Sequence, residues 1–173
     1  MSNLDTLPSS IVKYPDPRLR RKCEPVTVFD ARLAALAARM LELMKEHNGV
    51  GLAGPQVGAL QRIFVCNPTG EPADDRVYVN PELSDLVGGV ESEEGCLSIP
   101  DVRVMVRRAR RCRLRAQDLE GRPVELEGEY LIARIWQHEV DHLDGRLIVD
   151  RMSAADRVAN RKKLAELESK YRP

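Results

Sequence analysis

The chain has 173 residues, in which 27 lysines and arginines balance 27 aspartates and glutamates, so its formal net charge is zero. This length suits a single domain, which we expect to span residues 1–173. The balanced charge and an aromatic content of 4% argue against DNA binding, because they offer neither a positive field nor a base-stacking platform.

The chain carries no signal for secretion or for a membrane. Residues 1–10 have neither the basic start nor the apolar run of a signal peptide. No apolar run approaches the roughly 20 residues of a membrane span, so we expect no membrane partner. The four cysteines form no C-x-x-C motif. We therefore expect a cytoplasmic protein, bacterial rather than organellar, whose reduced cysteines are available as thiolate ligands.

The first predicted elements are an irregular arm and a helix. Prolines interrupt residues 1–28, where we expect no regular structure. Asp30 is a typical N-cap, and the apolar residues that follow it recur with a period of 3.6, which predicts a helix. Asn48 and Gly49 are typical of a helix C-terminus, and a glycine-rich loop follows over residues 49–58.

Strand patterns fill the middle of the chain. Short apolar or alternating segments predict strands at residues 63–66, 77–79, 102–106, 112–116 and 124–126. The third and fourth segments alternate apolar residues with arginines, so we expect them to pair with each other and to turn their arginines to solvent. A turn over residues 118–123 joins the fourth segment to the fifth.

Helical spacing returns over residues 129–142. Residues 147–149 predict a brief strand, and Ser153 with Asp156 forms the signature of a capping box that opens a last helix. The predicted fold class is α+β, with mostly antiparallel strands around a central helix, an N-terminal helix and a C-terminal helix.

The central helix carries the pattern H-E-x-x-H, which makes it the predicted metal-binding element. His138 and His142 are four residues apart and lie on one helical face, so both imidazoles can reach a single divalent metal. Glu139 stands beside them as a proton carrier for an activated water. His47 is the only other histidine, so the remaining protein ligand must be a cysteine or a carboxylate.

Two further motifs accompany this one. Residues 49–56 have the sequence GVGLAGPQ, and residues 94–98 have the sequence EGCLS. Together with HEVDH they resemble the three signature motifs of peptide deformylase, G-x-G-L-A-A-x-Q, E-G-C-L-S and H-E-x-D-H, in the same order along the chain. One position departs from these patterns, since Gly54 stands where the family usually has alanine.

The resemblance implies a metal centre and a reaction. Cys96 would join the two histidines as a ligand of one divalent metal, with Fe(II) expected and zinc, nickel or cobalt as alternatives. Gln56 and the N–H of Leu97 would stabilise charge on a formyl oxygen, and Glu139 would move the proton. The implied substrate is an N-formylmethionyl nascent peptide, which would yield formate and a free N-terminal methionine.

The resemblance also implies a substrate-binding surface. Its residues are Val50, Gly51, Gly95, Arg103, Leu131 and Ile135. The first three would lie beside substrate backbone added as a strand, and Arg103 would contact the substrate. The last two would form, with Val50, an apolar pocket for the methionine side chain. Arg134 is a departure at the rim of this pocket, because many members have an aliphatic residue there.

Other polar residues are expected to support the site. Glu94 and Asp141 should orient the metal ligands rather than react, with Arg108 as a partner of Asp141. His47 should bind the terminal carbonyls of the N-terminal helix.

Two other functions fit part of this pattern. A zincin-type metallopeptidase would take its third ligand from a downstream carboxylate such as Glu166, and would leave Cys96 unexplained. A non-catalytic, ribosome-associated metal-binding module would need a closed site with four ligands. The last helix is rich in basic residues; a solvated face is the favoured interpretation, and a transient contact with the ribosome is the alternative.

Overall fold

The computed structural model describes residues 6–173, so the first five residues of the predicted arm lie outside the described range. The described residues form three α-helices, α1 (Ala31–Glu46), α2 (Leu131–Leu143) and α3 (Ala154–Lys170). They also form seven strands, β1 (Gly51–Ala53), β2 (Ile63–Cys66), β3 (Arg76–Val87), β4 (Val90–Cys96), β5 (Ile99–Arg108), β6 (Arg111–Gln117) and β7 (Pro123–Glu129). Short 3₁₀ turns lie at Pro17–Arg20, Gly54–Val57, Pro72–Asp74 and Ile148–Arg151.

The strands form two antiparallel sheets. The larger sheet has the order β1-β2-β3-β6-β7, and the smaller one is the hairpin of β4 and β5. Helix α2 packs against all five strands of the larger sheet, and α3 packs against β5. The predicted α+β class, with mostly antiparallel strands around a central helix, is confirmed.

Helix α1 begins and ends where the sequence predicts. The Asp30 carboxylate accepts hydrogen bonds from the N–H groups of Arg32 and Leu33, at 3.1 and 3.0 Å. At the other end, Nδ1 of His47 lies 2.9 Å from the carbonyl oxygen of Leu43, as predicted for a helix-end histidine. The helix buries an apolar face against β1 and β2, made of Leu33, Leu36, Ala37, Met40, Leu43 and Met44.

Helix α2 starts at Leu131 rather than at residue 129, because Tyr130 has a φ of 53°, which an α-helix does not allow. Trp136 packs against β7 at Gly128, where a Cβ atom would overlap the indole ring. The missing side chain therefore lets the strand approach the helix closely. This packing fixes the helix against the sheet, while its face with His138 and His142 reaches the end of β4.

Two strand predictions are wrong. Residues 147–149 lead into the 3₁₀ turn Ile148–Arg151, in which the Asp150 carboxylate accepts a hydrogen bond from the Leu147 N–H at 2.9 Å. Residues 102–106 and 112–116 do not pair with each other. The backbone of β5 is paired with β4, while β6 lies between β3 and β7.

Helix α3 opens with the predicted capping box. Oγ of Ser153 accepts from the Asp156 N–H at 3.1 Å, and the Asp156 carboxylate accepts from the Ser153 N–H at 3.3 Å. Buried Asn160 donates to the carbonyl of Arg103 at 2.9 Å and ties the helix to β5. Within residues 6–173, no helix combines the length and the apolar character that crossing a bilayer requires.

Candidate active site

The three predicted metal ligands converge at one point. Cys96 ends β4, while His138 and His142 lie one turn apart on α2. Sγ of Cys96 is 3.3 Å from Nε2 of His142, and the Nε2 atoms of the two histidines are also 3.3 Å apart. All three donor atoms lie within 4.8 Å of one another, so the fold brings together a thiol and two imidazoles from distant parts of the sequence.

This donor set fits a divalent metal. Ligand atoms of a tetrahedral ion lie about 3.3–3.8 Å apart when the metal–ligand bonds are about 2.0–2.3 Å long. Burial holds the pKa of His142 well below its usual value, which favours the neutral imidazole that a metal ligand must be. Three protein donors leave a fourth position open, which is typical of catalytic rather than structural sites.

Glu139 lies beside the cluster and is only 3% exposed. Its Oε2 atom has no hydrogen-bond partner among the described residues. Burial raises the pKa of Glu139 to about 7, although the neighbouring His138 and Arg108 act in the opposite direction. A carboxyl group with a pKa near neutrality can both accept and return a proton. Gly51 of β1 makes room for it, since a Cβ atom there would overlap the Glu139 carboxylate.

Glu94 and Asp141 are joined by Arg108. The Arg108 guanidinium donates to both carboxylate oxygens of Glu94 at 2.9 Å and to Asp141 at 2.6 Å, which confirms the predicted contact between Arg108 and Asp141. Burial opposes ionisation of Glu94, but hydrogen bonds from His138 and Arg108 outweigh it and hold the pKa of Glu94 well below its usual range. The ionised carboxylate lies 2.9 Å from Nδ1 of His138 and so turns Nε2 of that ring towards the other two donor atoms.

The two predicted oxyanion donors lie close to Cys96. Gln56 is buried in the 3₁₀ turn, and its Nε2 lies 3.5 Å from the Cys96 Sγ atom. Leu97 follows Cys96 directly and is half-buried. Nζ of Lys13 donates to the Leu97 carbonyl at 2.6 Å and so ties the N-terminal arm to the backbone next to Cys96.

The predicted substrate-binding residues differ in how exposed they are. Val50 and Leu131 are 46% and 50% exposed, whereas Ile135 is 5% exposed and packs in the core. The Arg103 guanidinium covers Gly95, where a Cβ atom would overlap it. Strands β1 and β4 are each terminal in their sheets, so each has an edge without a strand partner among the described residues. These edges lie next to the residues at which an added strand is predicted.

Arg134 is turned inward to Glu94 rather than left free at a pocket rim. Its guanidinium donates to the Glu94 carboxylate and to two carbonyls of the β4–β5 hairpin, at 2.6 and 3.0 Å. This contact is absent from the sequence-based predictions, as is that of Arg151, which donates to both oxygens of Asp141 at 2.9 and 3.0 Å. The contact of Arg134 with Glu94 could have been predicted, because Arg134 and His138 are four residues apart on one helix and can reach the same carboxylate.

Gly54, the departure from the family pattern, is explained by backbone packing. A Cβ atom at this position would overlap the carbonyl oxygens of Ala59 and Gln61, which fold back over the 3₁₀ turn. The glycine is therefore required by the close approach of two backbone segments in this chain.

An α+β fold whose buried helix presents two histidines and a glutamate to a cysteine is typical of metal-dependent hydrolases. Residues 8–158 match the model of a particular hydrolase family, polypeptide deformylase, and the chain belongs to that family. The resemblance predicted from the three motifs is thereby confirmed.

Individual relatives agree with this assignment. A peptide deformylase of Acidobacterium capsulatum is 47% identical over 149 residues, which cover 85% of this chain and 88% of that protein. Among solved structures, peptide deformylase from Plasmodium falciparum superposes with a TM-score of 0.91 at 37% identity, covering 94% of this chain and 96% of that one. A peptide deformylase from Legionella pneumophila has a TM-score of 0.88 at 39% identity, covering 96% and 100%.

Proposed function

We propose that this chain removes the formyl group from the N-terminal formylmethionine of nascent peptides in a metal-dependent reaction, with Cys96, His138 and His142 as the metal ligands. The observation that carries the proposal is the convergence of these three donor atoms beside buried Glu139, whose Oε2 atom has no hydrogen-bond partner among the described residues. When bound, a divalent metal supplies Lewis acidity and lowers the pKa of a water molecule. The remaining chemistry is assigned to side chains and backbone groups of the chain.

Glu139 is the proton carrier in this proposal. It takes a proton from the attacking water and returns it to the departing amine as the bond between the formyl carbon and the nitrogen breaks. Its raised pKa of about 7, caused by burial, suits both halves of that transfer. Formate leaves with the water oxygen, and the peptide keeps a free N-terminal methionine.

Gln56 and Leu97 stabilise the charge that develops on the formyl oxygen. The carboxamide of Gln56 lies 3.5 Å from the Cys96 Sγ atom, and the Leu97 N–H is in the peptide bond next to Cys96. Two donors fixed in a buried site act on the transition state more strongly than on the substrate, because they need no reorganisation when the charge forms.

The substrate backbone is proposed to add as a strand between the edges of β1 and β4. Val50 and Gly51 lie at the first edge and Gly95 at the second, and Arg103 covers Gly95 from β5. Half-exposed Val50 and Leu131 then receive the methionine side chain, with Ile135 as the base of the pocket. Main-chain hydrogen bonds give affinity in such a mode, and the pocket gives specificity.

The proposed resident metal is Fe(II), with zinc, nickel or cobalt as alternatives that the same donor set accepts. Elemental analysis of protein purified without oxygen tests the choice. A stoichiometric content of another metal under those conditions would contradict iron. A transient contact of the basic face of α3 with ribosomal RNA stays a prediction.

The decisive experiment measures formate released from a formyl-Met peptide, with the unformylated peptide as the control. We expect formate from the first substrate alone. Glu139→Gln should keep the metal while lowering kcat by about 10²–10⁴-fold, the usual scale of general acid–base catalysis. Formate release by this variant at the wild-type rate would remove Glu139 from the mechanism.

The rival functions fit the site less well. A zincin peptidase would need Glu166 as a ligand, but Glu166 is an exposed residue of α3 outside the donor cluster, which contains Cys96. A structural metal module would need a fourth protein donor beside the three in this cluster. Internal cleavage of an unformylated peptide would favour the first rival, and stoichiometric metal without formate release would favour the second.

A further inference from the structure

Ser98 is a fully buried polar residue that the proposed mechanism does not use. It lies between Leu97 and the start of β5 and has 0% of its surface exposed. Its Oγ atom accepts a hydrogen bond from Nε2 of Gln56 at 3.2 Å. A buried hydroxyl is normally hydrogen-bonded, so the identity of its partner indicates what the residue does. Here the partner is the proposed oxyanion donor.

The orientation of the Gln56 carboxamide is fixed by its contacts. Oε1 accepts a hydrogen bond from the N–H of Ala53 at 2.9 Å, and only the oxygen of the amide can accept there. Nε2 must therefore face the other side, where Oγ of Ser98 is 3.2 Å away and Sγ of Cys96 is 3.5 Å away. Of its two N–H groups, one points to Ser98 and the other points to the metal-ligand cluster.

We propose that Ser98 is a positioning residue, which holds one N–H of the Gln56 carboxamide so that the other N–H points at the forming oxyanion. This inference rests on the proposed function, because it gives Gln56 its role in the transition state. The buried Oγ atom fixes rotation about the last side-chain torsion of Gln56, together with the Ala53 N–H. Such terminal amide torsions have broad energy wells, so an external contact is needed to set them.

Removal of the Ser98 hydroxyl should disturb the carboxamide and little else. The backbone of both residues is held independently by the N-terminal arm. The Val12 N–H donates to the Gln56 carbonyl at 2.7 Å, and the Tyr14 N–H donates to the Ser98 carbonyl at 2.8 Å. Ser98→Ala therefore keeps the turn and its small side-chain volume, and takes away one acceptor. Without this acceptor the carboxamide can rotate about its last torsion, and its other N–H is no longer held in the direction of the metal-ligand cluster.

The experiment is a double-mutant cycle read out as kcat and KM for formate release. Ser98→Ala should lower kcat and kcat/KM together by about 3- to 10-fold, the scale of one hydrogen bond, with KM unchanged. Gln56→Leu alone should lower kcat by about 10²–10³-fold, as for other oxyanion donors. Adding Ser98→Ala to Gln56→Leu should then cause no further loss, because the residue acts only through Gln56.

Matched measurements separate this role from packing. Ile99→Val trims a neighbouring buried side chain without touching any of these hydrogen bonds, and should leave kcat unchanged. The side-chain amide protons of Gln56, followed by NMR, should shift and broaden in Ser98→Ala and not in Ile99→Val. A merely structural serine would move the unfolding temperature without this signature.

The outcomes distinguish the two proposals. The role of Ser98 would be overturned if Ser98→Ala lowered kcat by the same factor in the wild-type protein and in the Gln56→Leu variant. It would also be overturned if Ser98→Ala were fully active while Gln56→Leu was impaired. Full activity of Gln56→Leu would instead remove Gln56 from the proposed mechanism, and the inference with it. Absence of formate release by the wild-type protein would overturn the proposed function itself.

Discussion

Gly51 in β1 and Glu139 in α2 meet so closely that any Cβ atom at position 51 would overlap the carboxylate. Gly51→Ala should push the Glu139 carboxylate aside and lower kcat by about 10²-fold, the cost of a misplacement of about 1 Å in a catalytic group. Metal content should not change, because Glu139 is not a ligand. Formate-release kinetics and elemental analysis of the variant measure both quantities.

Gly89→Ala is the matched control for this substitution. The three atoms nearest to a Cβ atom at Gly89 would all belong to the guanidinium end of Arg107, an exposed and flexible side chain that can move away. We expect normal kcat in this variant. A Gly51→Ala protein with the same kcat as Gly89→Ala would show that Glu139 tolerates displacement and would count against its role.

Strand β5 alternates between solvent and core. Arg107 is exposed, and Arg108 occupies a buried position at the end of the row formed by Val102, Val104 and Val106. Arg108 is 4% exposed and is bound by Glu94 and Asp141. Arg108→Met should therefore leave two buried carboxylates short of a partner and lower the free energy of unfolding by about 3–5 kcal/mol.

Arg107→Met is the control on the same strand, and should change the free energy of unfolding by less than about 0.5 kcal/mol, as surface substitutions usually do. Denaturant unfolding measures both variants. Equal effects of the two substitutions would contradict the assignment of Arg108 as the bridge between Glu94 and Asp141. In Arg108→Met, Glu94 keeps its hydrogen bond from Arg134, and Asp141 keeps those from Arg151. We therefore expect the loss of unfolding free energy to lie near the lower end of this range.

Elements whose apolar residues recur periodically could be predicted from the sequence. Elements without such a pattern could not. Strand β4 contains the acidic run Glu91-Ser92-Glu93-Glu94, which has no apolar face, so its pairing with β5 is visible only in three dimensions. The strand predicted over residues 77–79 ends before the Asn80-Pro81 step, which is typical of a turn. Instead Asn80 takes a φ of 50° at a shift in register, and its side chain bonds to Val26 while the strand continues.

The site is assembled from parts of the chain that are remote in sequence. Cys96 comes from the small sheet, His138 from the central helix and Gln56 from a turn after β1. Helical periodicity predicts that the two histidines share a face, but periodicity does not predict which cysteine joins them. The motif around Cys96 predicts the cysteine. It does not predict the tertiary contacts of Ser98, Arg134 and Lys13.

A metal held by Cys96 and the two histidines would link the β4–β5 hairpin to α2, so its removal should loosen the whole fold. A ligand that binds the folded state alone, at about 1,000 times its Kd, adds about 4 kcal/mol of stability. For a chain of this size, that corresponds to a fall in Tm of about 8–16 °C on chelation.

Calorimetry with and without chelator measures this fall in Tm. The control variant Cys66→Ala removes a core thiol outside the cluster, so it should start from a lower Tm and show the same fall on chelation. Cys96→Ala should bind little metal, so chelation should not change its Tm. A fall in Tm as large as that of the wild-type protein would contradict the assignment of Cys96 as a ligand.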